Sequence, residues 1–164
     1  EAFTAHMNTA RPGNAPSVMV AALGEQALKA AGRRSDGTIL WMVGPKTIAA
    51  HIAPVINQAA ADAGRKAPRI MCSLPTCVTD DETAVREMMS EMFAIYGQLP
   101  SYRAMLDREG AAQPGDVAIV GSEEQVTAQL DALAAAGTTD FAALEFGRND
   151  GENARTRALL MGRL

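Results

Sequence analysis

The chain has 164 residues, is 48% hydrophobic and 21% charged, and carries a net charge of −4, the balance of a globular domain with enough apolar content for one core. Without a basic run, that acidity argues against a nucleic-acid surface, and no apolar run approaches the ~20 residues of a membrane helix. Cys72 and Cys77 stand five apart on one predicted strand and its continuation. Their side chains should face opposite ways, as reduced, buried thiols of a cytoplasmic protein rather than a bridge or a metal pair.

No signal peptide is legible, and an opening Glu1 leaves room for a natural start upstream. Phe3, Ala5 and Met7 alternate with polar neighbours before the turn chemistry of Arg11-Pro12-Gly13-Asn14, which predicts an extended arm over 1–15 with His6 toward solvent. Residues 18–22 then form a short apolar run between Pro16 and Gly24, suited to a buried strand. Gly24 turns the chain into a helix over 25–34 with Leu28 and Ala31 inward, and 38–41 begins a second strand. Strand, glycine turn, helix and strand make a right-handed parallel βαβ unit. At its Leu23-Gly24-Glu25 turn, free helix N–H groups favour an anion.

Gly44-Pro45 opens a helix with Ile48, Ile52, Val55, Ile56 and Ala59 at helical spacing, and Pro54 within it predicts a kink. His51 reads as a surface residue. Trp41, at a strand's carboxyl end, suits either a site wall or the core. A third strand covers 69–74 and runs on to Val78, and Thr79 with Glu82 reads as a capping box. The following helix carries an apolar stripe from Val85 to Tyr96, read as core or subunit contact. Pro100 starts a short helix with Tyr102, Met105 and Leu106, closed by Gly110; there Arg103 has Asp107 one turn along as an available partner. Ser122 and Gln125 form a second capping box on a helix with Val126, Leu130, Leu133 and Ala134 inward, stopped by Gly137. A fourth strand over 141–144 and a helix over 152–164 with Leu159 and Leu160 complete the chain.

Several of these motifs together resemble one family. Ala21-Ala22-Leu23-Gly24, Ala31-Gly32 and Asp36-Gly37 stand in its order, followed by Gly44-Pro45, the 96–110 segment and the stretch from Val120-Gly121 to Gly137. The chain is similar to the luciferase-like monooxygenase superfamily, most of all to its coenzyme F420-dependent oxidoreductases, and departs at Glu25, where the family usually has proline. The resemblance implies an α/β fold, the carboxyl-terminal half of a (β/α)8 TIM barrel: four parallel strands with helices, an inserted helical segment over 97–115, and one domain over 1–164.

It further implies hydride transfer between coenzyme F420, with FMN as the alternative, and a small organic substrate. Ala22, Leu23, Gly24 and Glu25 become the cofactor-phosphate cradle, with the amides of Gly24 and Glu25 toward it, and Trp41, Tyr102 and Arg103 the substrate-side candidates. The half that carries most flavin-ring contacts in the family is not in this stretch, so no hydride-transfer residue is named and the chain alone is expected to be inactive. The exposed edges of four strands call for that missing amino-terminal half or a second copy of the chain. Two other readings stay open. One is a non-catalytic binding or scaffold member, favoured by the carboxylate of Glu25 beside the cradle; the other is a complete flavodoxin-like domain.

Overall fold

The computed structural model describes residues 16–163, so the predicted 1–15 arm and Leu164, at the end of the helix predicted over 152–164, lie outside the described residues. Five parallel strands form one sheet: β1 (Met19–Ala21), β2 (Gly37–Trp41), β3 (Arg69–Val78), β4 (Ile119–Gly121) and β5 (Asp140–Glu145). β3 is the hub. Residues 69–73 pair with β2, 71–76 with β5, and Thr76, Cys77 and Val78 with β4. The expected four strands, in the order β1-β2-β3-β5, are the barrel-forming set. The fifth, β4, is a correction: three residues are too few to show a hydrophobic period.

Helices cover one face of the sheet: α1 (Glu25–Arg34), α2 (Ala53–Asp62), α3 (Glu82–Met92), α4 (Pro100–Glu109), α5 (Glu123–Ala135) and α6 (Asp150–Met161). Because strand side chains alternate, Leu40, Ile70, Cys72 and Leu74 point to this face and are fully buried with Leu28, Ile52, Ile56 and Leu133. The register sends Ala21, Ile39, Met71, Ser73, Ala142 and Leu144 to the other face. Among the described residues nothing covers it, and Ile39 and Leu144 are 40% and 41% exposed. That is the inner wall of a half barrel seen from its axis. The outer edges of β1 and β5 also have no strand partner among the described residues.

Local sequence explains most element ends. Gly110 closes α4 with φ 79, a left-handed value that favours glycine. Ser122 and Gln125 form the expected capping box on α5. The expected kink at Pro54 is a π-helical turn, Ile48–Ile52, between a turn of α-helix at Pro45–Thr47 and α2. Ala134 of α5, expected inward, is exposed.

One cap differs from expectation. α3 is capped by Asp81, whose carboxylate accepts from the Ala84 amide, not by Thr79. The Thr79 hydroxyl is already committed, donating to Glu152 Oε1 at 2.7 Å. Glu152 is buried and also accepts from the Arg148 amide and guanidinium, both at 2.7 Å. Arg148 reaches on to Asp81 at 2.9 Å, and Arg155 of α6 links Asp80 and Glu123. This network fastens α6 to the end of β3. Arg148, with help from Thr79 and against the cost of burial, holds the Glu152 carboxyl down to about 2.

Two outcomes follow from this packing. α1 crosses α2 so closely that a Cβ on Gly32 would stand 2.5 Å from the Ile56 carbonyl oxygen. Gly32→Ala gains ~1 kcal/mol of helix propensity but forces overpacking worth about 1–3 kcal/mol, so urea unfolding should show a net loss; unchanged or higher stability would mean the helices part freely. Glu152 has a folded pKa below its ordinary value of 4.5, so its contribution is full above that value and lost as pH falls toward about 2. Across that acid window, the unfolding free energy of Glu152→Gln should change less steeply than that of the parent.

Candidate functional site

In parallel α/β sheets the carboxyl ends of the strands are where backbone and loops are free to meet a ligand. At that end, the turn after β1, the last residue of β2 and the start of α4 enclose a cleft of about 320 Å³. Ala22, Leu23 and Gly24 form one side, with Trp41, Ser101 and Tyr102 facing them. The lining bears no charged side chain, so it suits an apolar or aromatic group with a few polar atoms. A cavity of about 500 Å³ lies near the end of β3. Its Arg148 and Arg155 are already paired with Asp81, Glu152, Asp80 and Glu123, which makes it part of the α6 anchor. The groove of about 380 Å³ beside β5 lies along the open edge, between α5 and α6.

The cradle's geometry comes from α1. Gly24 is its N-cap with φ −77 and ψ 152, ordinary extended values that any residue adopts, and no side chain caps the helix. A Cβ on Gly24 would meet nothing within 4 Å. Neither backbone conformation nor internal packing therefore asks for glycine there. What its absent side chain provides is open space in front of first-turn amides at the positive end of a ten-residue helix.

Glu25, placed in the cradle by the sequence, turns away. It does not line the cleft, and its carboxylate takes a hydrogen bond from Lys29 at 2.5 Å. That bond first, and the charge of Lys29 second, lower its pKa. Arg103 also points elsewhere: it pairs with Asp107 at 2.8 Å and donates to the carbonyls of Ala111 and Ala112. Trp41 and Tyr102 do meet at the cleft.

Behind the cleft stands an aromatic cluster. Trp41 lies edge-on to Phe93 at 5.5 Å and to Tyr96 at 6.0 Å between ring centroids, and Tyr96 meets Tyr102 at 4.8 Å. Burial, then the neighbouring Tyr96, raise the pKa of Tyr102. The indole N–H of Trp41 is buried and has no hydrogen-bond acceptor among the described residues. Phe93 and Tyr96 are thus part of the wall behind the cleft. Their stripe continues only partly into the core, since Val85 and Met89 are buried but Met92 is exposed.

Two further residues escaped the sequence. His51, expected at the surface, is half-buried with Nε2 3.0 Å from the Leu23 carbonyl. The carbonyl can only accept, so Nε2 carries the proton and braces the cradle turn. His51 lies in the π-turn that precedes Pro54, and nothing in the local sequence announces its carbonyl partner. Glu109, the last residue of α4, accepts from the Lys46 and Thr47 amides at 3.1 and 2.8 Å. Nothing in the local sequence announces a carboxylate that caps a helix some sixty residues upstream. Among the described residues no three metal-capable side chains gather, and no helix is long and apolar enough to cross a membrane.

Comparison with known proteins places this geometry among relatives. Residues 2–140 match the family described as luciferase-like monooxygenase. No curated protein matches the chain. Among solved structures, the coenzyme F420-dependent tetrahydromethanopterin reductase from Methanopyrus kandleri superposes with a TM-score of 0.68 at 17% identity, over 85% of this chain and 48% of its own. An F420-dependent secondary alcohol dehydrogenase, solved with an F420-acetone adduct, gives 0.66 at 14% identity, over 89% and 48%. The oxygenating constituent of 3,6-diketocamphane monooxygenase from Pseudomonas putida, solved with FMN, gives 0.58 at 20% identity, over 91% and 48%. The chain spans about half the length of these structures, and at such identities the likeness is one of fold.

Proposed function

The chain belongs to the luciferase-like monooxygenase family, and from that premise we propose that it forms the carboxyl-terminal half-barrel of an oxidoreductase whose cofactor, coenzyme F420, lies with its phosphate against the α1 amino terminus. The observation that carries this reading is Gly24, an N-cap with ordinary extended φ and ψ and open space where a Cβ would be. Ala22 and Leu23 bring the backbone close, the first-turn amides of α1 supply donors, and His51 holds the turn in place. The residues present fit a phosphate-bearing cofactor. Glu25 is compatible with it because its charge is directed to Lys29 and out of the cleft.

The bound deazaflavin supplies hydride transfer; the protein supplies its position. Trp41 and Tyr102 form an apolar, aromatic wall that keeps water from the small organic substrate. Arg103, occupied with carbonyls at the far side of α4, acts as a brace for that wall. The deazaflavin is preferred to FMN on the likeness of the 96–110 segment to that branch. The uncovered inner face and the free edges of β1 and β5 take the amino-terminal half of the barrel, since closure needs eight strands. A non-catalytic member of the family would keep this fold while leaving the cradle without a phosphate.

Titration of the complete protein with coenzyme F420 and with FMN separates these readings. Gly24→Val puts a branched side chain into the open space at φ and ψ values that valine also adopts. It should weaken the bound cofactor at least about tenfold, equivalent to ~1.4 kcal/mol. Equal binding by parent and variant would move the phosphate elsewhere, and no binding of either cofactor by the parent would leave the non-catalytic reading standing.

A further inference from the structure

We propose that Glu109 is a positioning residue that sets the Tyr102 wall of the cleft, acting through α4 and resting on the reading of the cleft as the ligand site. Three separate features tie the end of α4 to the turn after β2, two of them through this carboxylate. The amides of Lys46 and Thr47 donate to its two oxygens at 3.1 and 2.8 Å. The Thr47 hydroxyl donates to the Met105 carbonyl at 3.2 Å, one turn back along α4. Gly44 makes the space, for a Cβ there would fall 2.3 Å from the Glu109 carboxyl carbon.

None of these is needed to make α4 a helix. Pro100 starts it, Gly110 stops it, and Met105 and Leu106 bury its apolar side. What they determine is where the helix sits on the barrel. Tyr102 is seven residues before Glu109, so the two lie about 10 Å apart along one rigid element. Its ring reaches back to Tyr96, and Tyr96 to Trp41, so a shift of α4 changes the cleft wall directly. Gly44, Lys46 and Thr47 follow Trp41 on β2 closely. The clamp therefore fixes α4 to the strand end that carries the opposite part of the wall.

Trp41 is the one tryptophan of the chain, and its emission reports on the wall without any ligand. Acrylamide quenching of Trp41 in the full chain should rise in Glu109→Ala and to the same extent in Gly44→Ala, which evicts the carboxylate by sterics. The double variant should show no further rise, because both changes break one clamp. Glu109→Gln, which keeps one acceptor oxygen and sets an NH2 against the other amide, should fall between the parent and Glu109→Ala. Ser122→Ala removes a cap on α5 remote from α4; it should lower the thermal midpoint and leave Trp41 as protected as before. Unchanged quenching in both Glu109→Ala and Gly44→Ala, additive effects in the double variant, or an equal rise in Ser122→Ala would each overturn the positioning role. Should Glu109→Ala fail to fold, Gly44→Ala compared with Glu109→Gln answers the same question. Failure of the parent to bind a deazaflavin would strike the cleft reading and leave this result intact.

Discussion

Everything in this half-barrel is hung on one strand. β3 is ten residues long, and among the described residues it is the only strand that pairs with three others. β2 takes its first half on one side, β5 runs along its middle, and β4 takes its last three residues. Its alternate residues Ile70, Cys72 and Leu74 sit at the centre of the apolar layer beneath the helices. The strand's far end receives Glu152 and Thr156 of α6: the Thr156 hydroxyl accepts from the Val78 amide at 2.8 Å. A long shared strand makes the sheet's curvature, the anchoring of α6 and the placing of β2 one coupled arrangement.

The site inherits its shape from neighbours of that strand and not from β3 itself. Two adjacent strand ends, those of β1 and β2, lead into helical turns and meet different fates. After β2, the carboxylate of Glu109 fills the space at Gly44. After β1, the space at Gly24 is left open. Glycine thus plays two opposite parts in turns twenty residues apart. In one turn it admits a side chain from the protein, and in the other it leaves room for something that the protein does not supply.

How much of this the sequence could tell depends on the range of the interaction. α1 was legible to the residue, because Gly24, Leu28 and Ala31 act within a turn or two of each other. So were the capping box at Ser122 and the stop at Gly110. Trp41 and Tyr102 could be marked from their positions alone, yet their meeting depends on the tertiary path of α4. Thr79 failed as a cap because its hydroxyl is claimed by Glu152, seventy-three residues away. Arg103 was weighed both as a site residue and as a partner of Asp107, and the second contact is present. Glu109 and His51 were invisible as functional residues for the same reason: their partners are carbonyls and amides from distant segments, and backbone groups leave no trace in composition.

The burial of β3 has a chemical corollary. Its two thiols are free, Cys72 pushed up to about 12 and Cys77 to about 11, in each case chiefly by burial. At neutral pH neither is a thiolate while the strand is in place, and only a thiolate attacks an alkylating reagent readily. The central strand therefore carries its own clock. Each thiol can be tagged only in the moments when its part of the sheet comes apart, Cys72 where β2 and β5 meet β3 and Cys77 where β4 does. The relative rates at which the two are modified would time the loosening of the sheet at two heights along one strand.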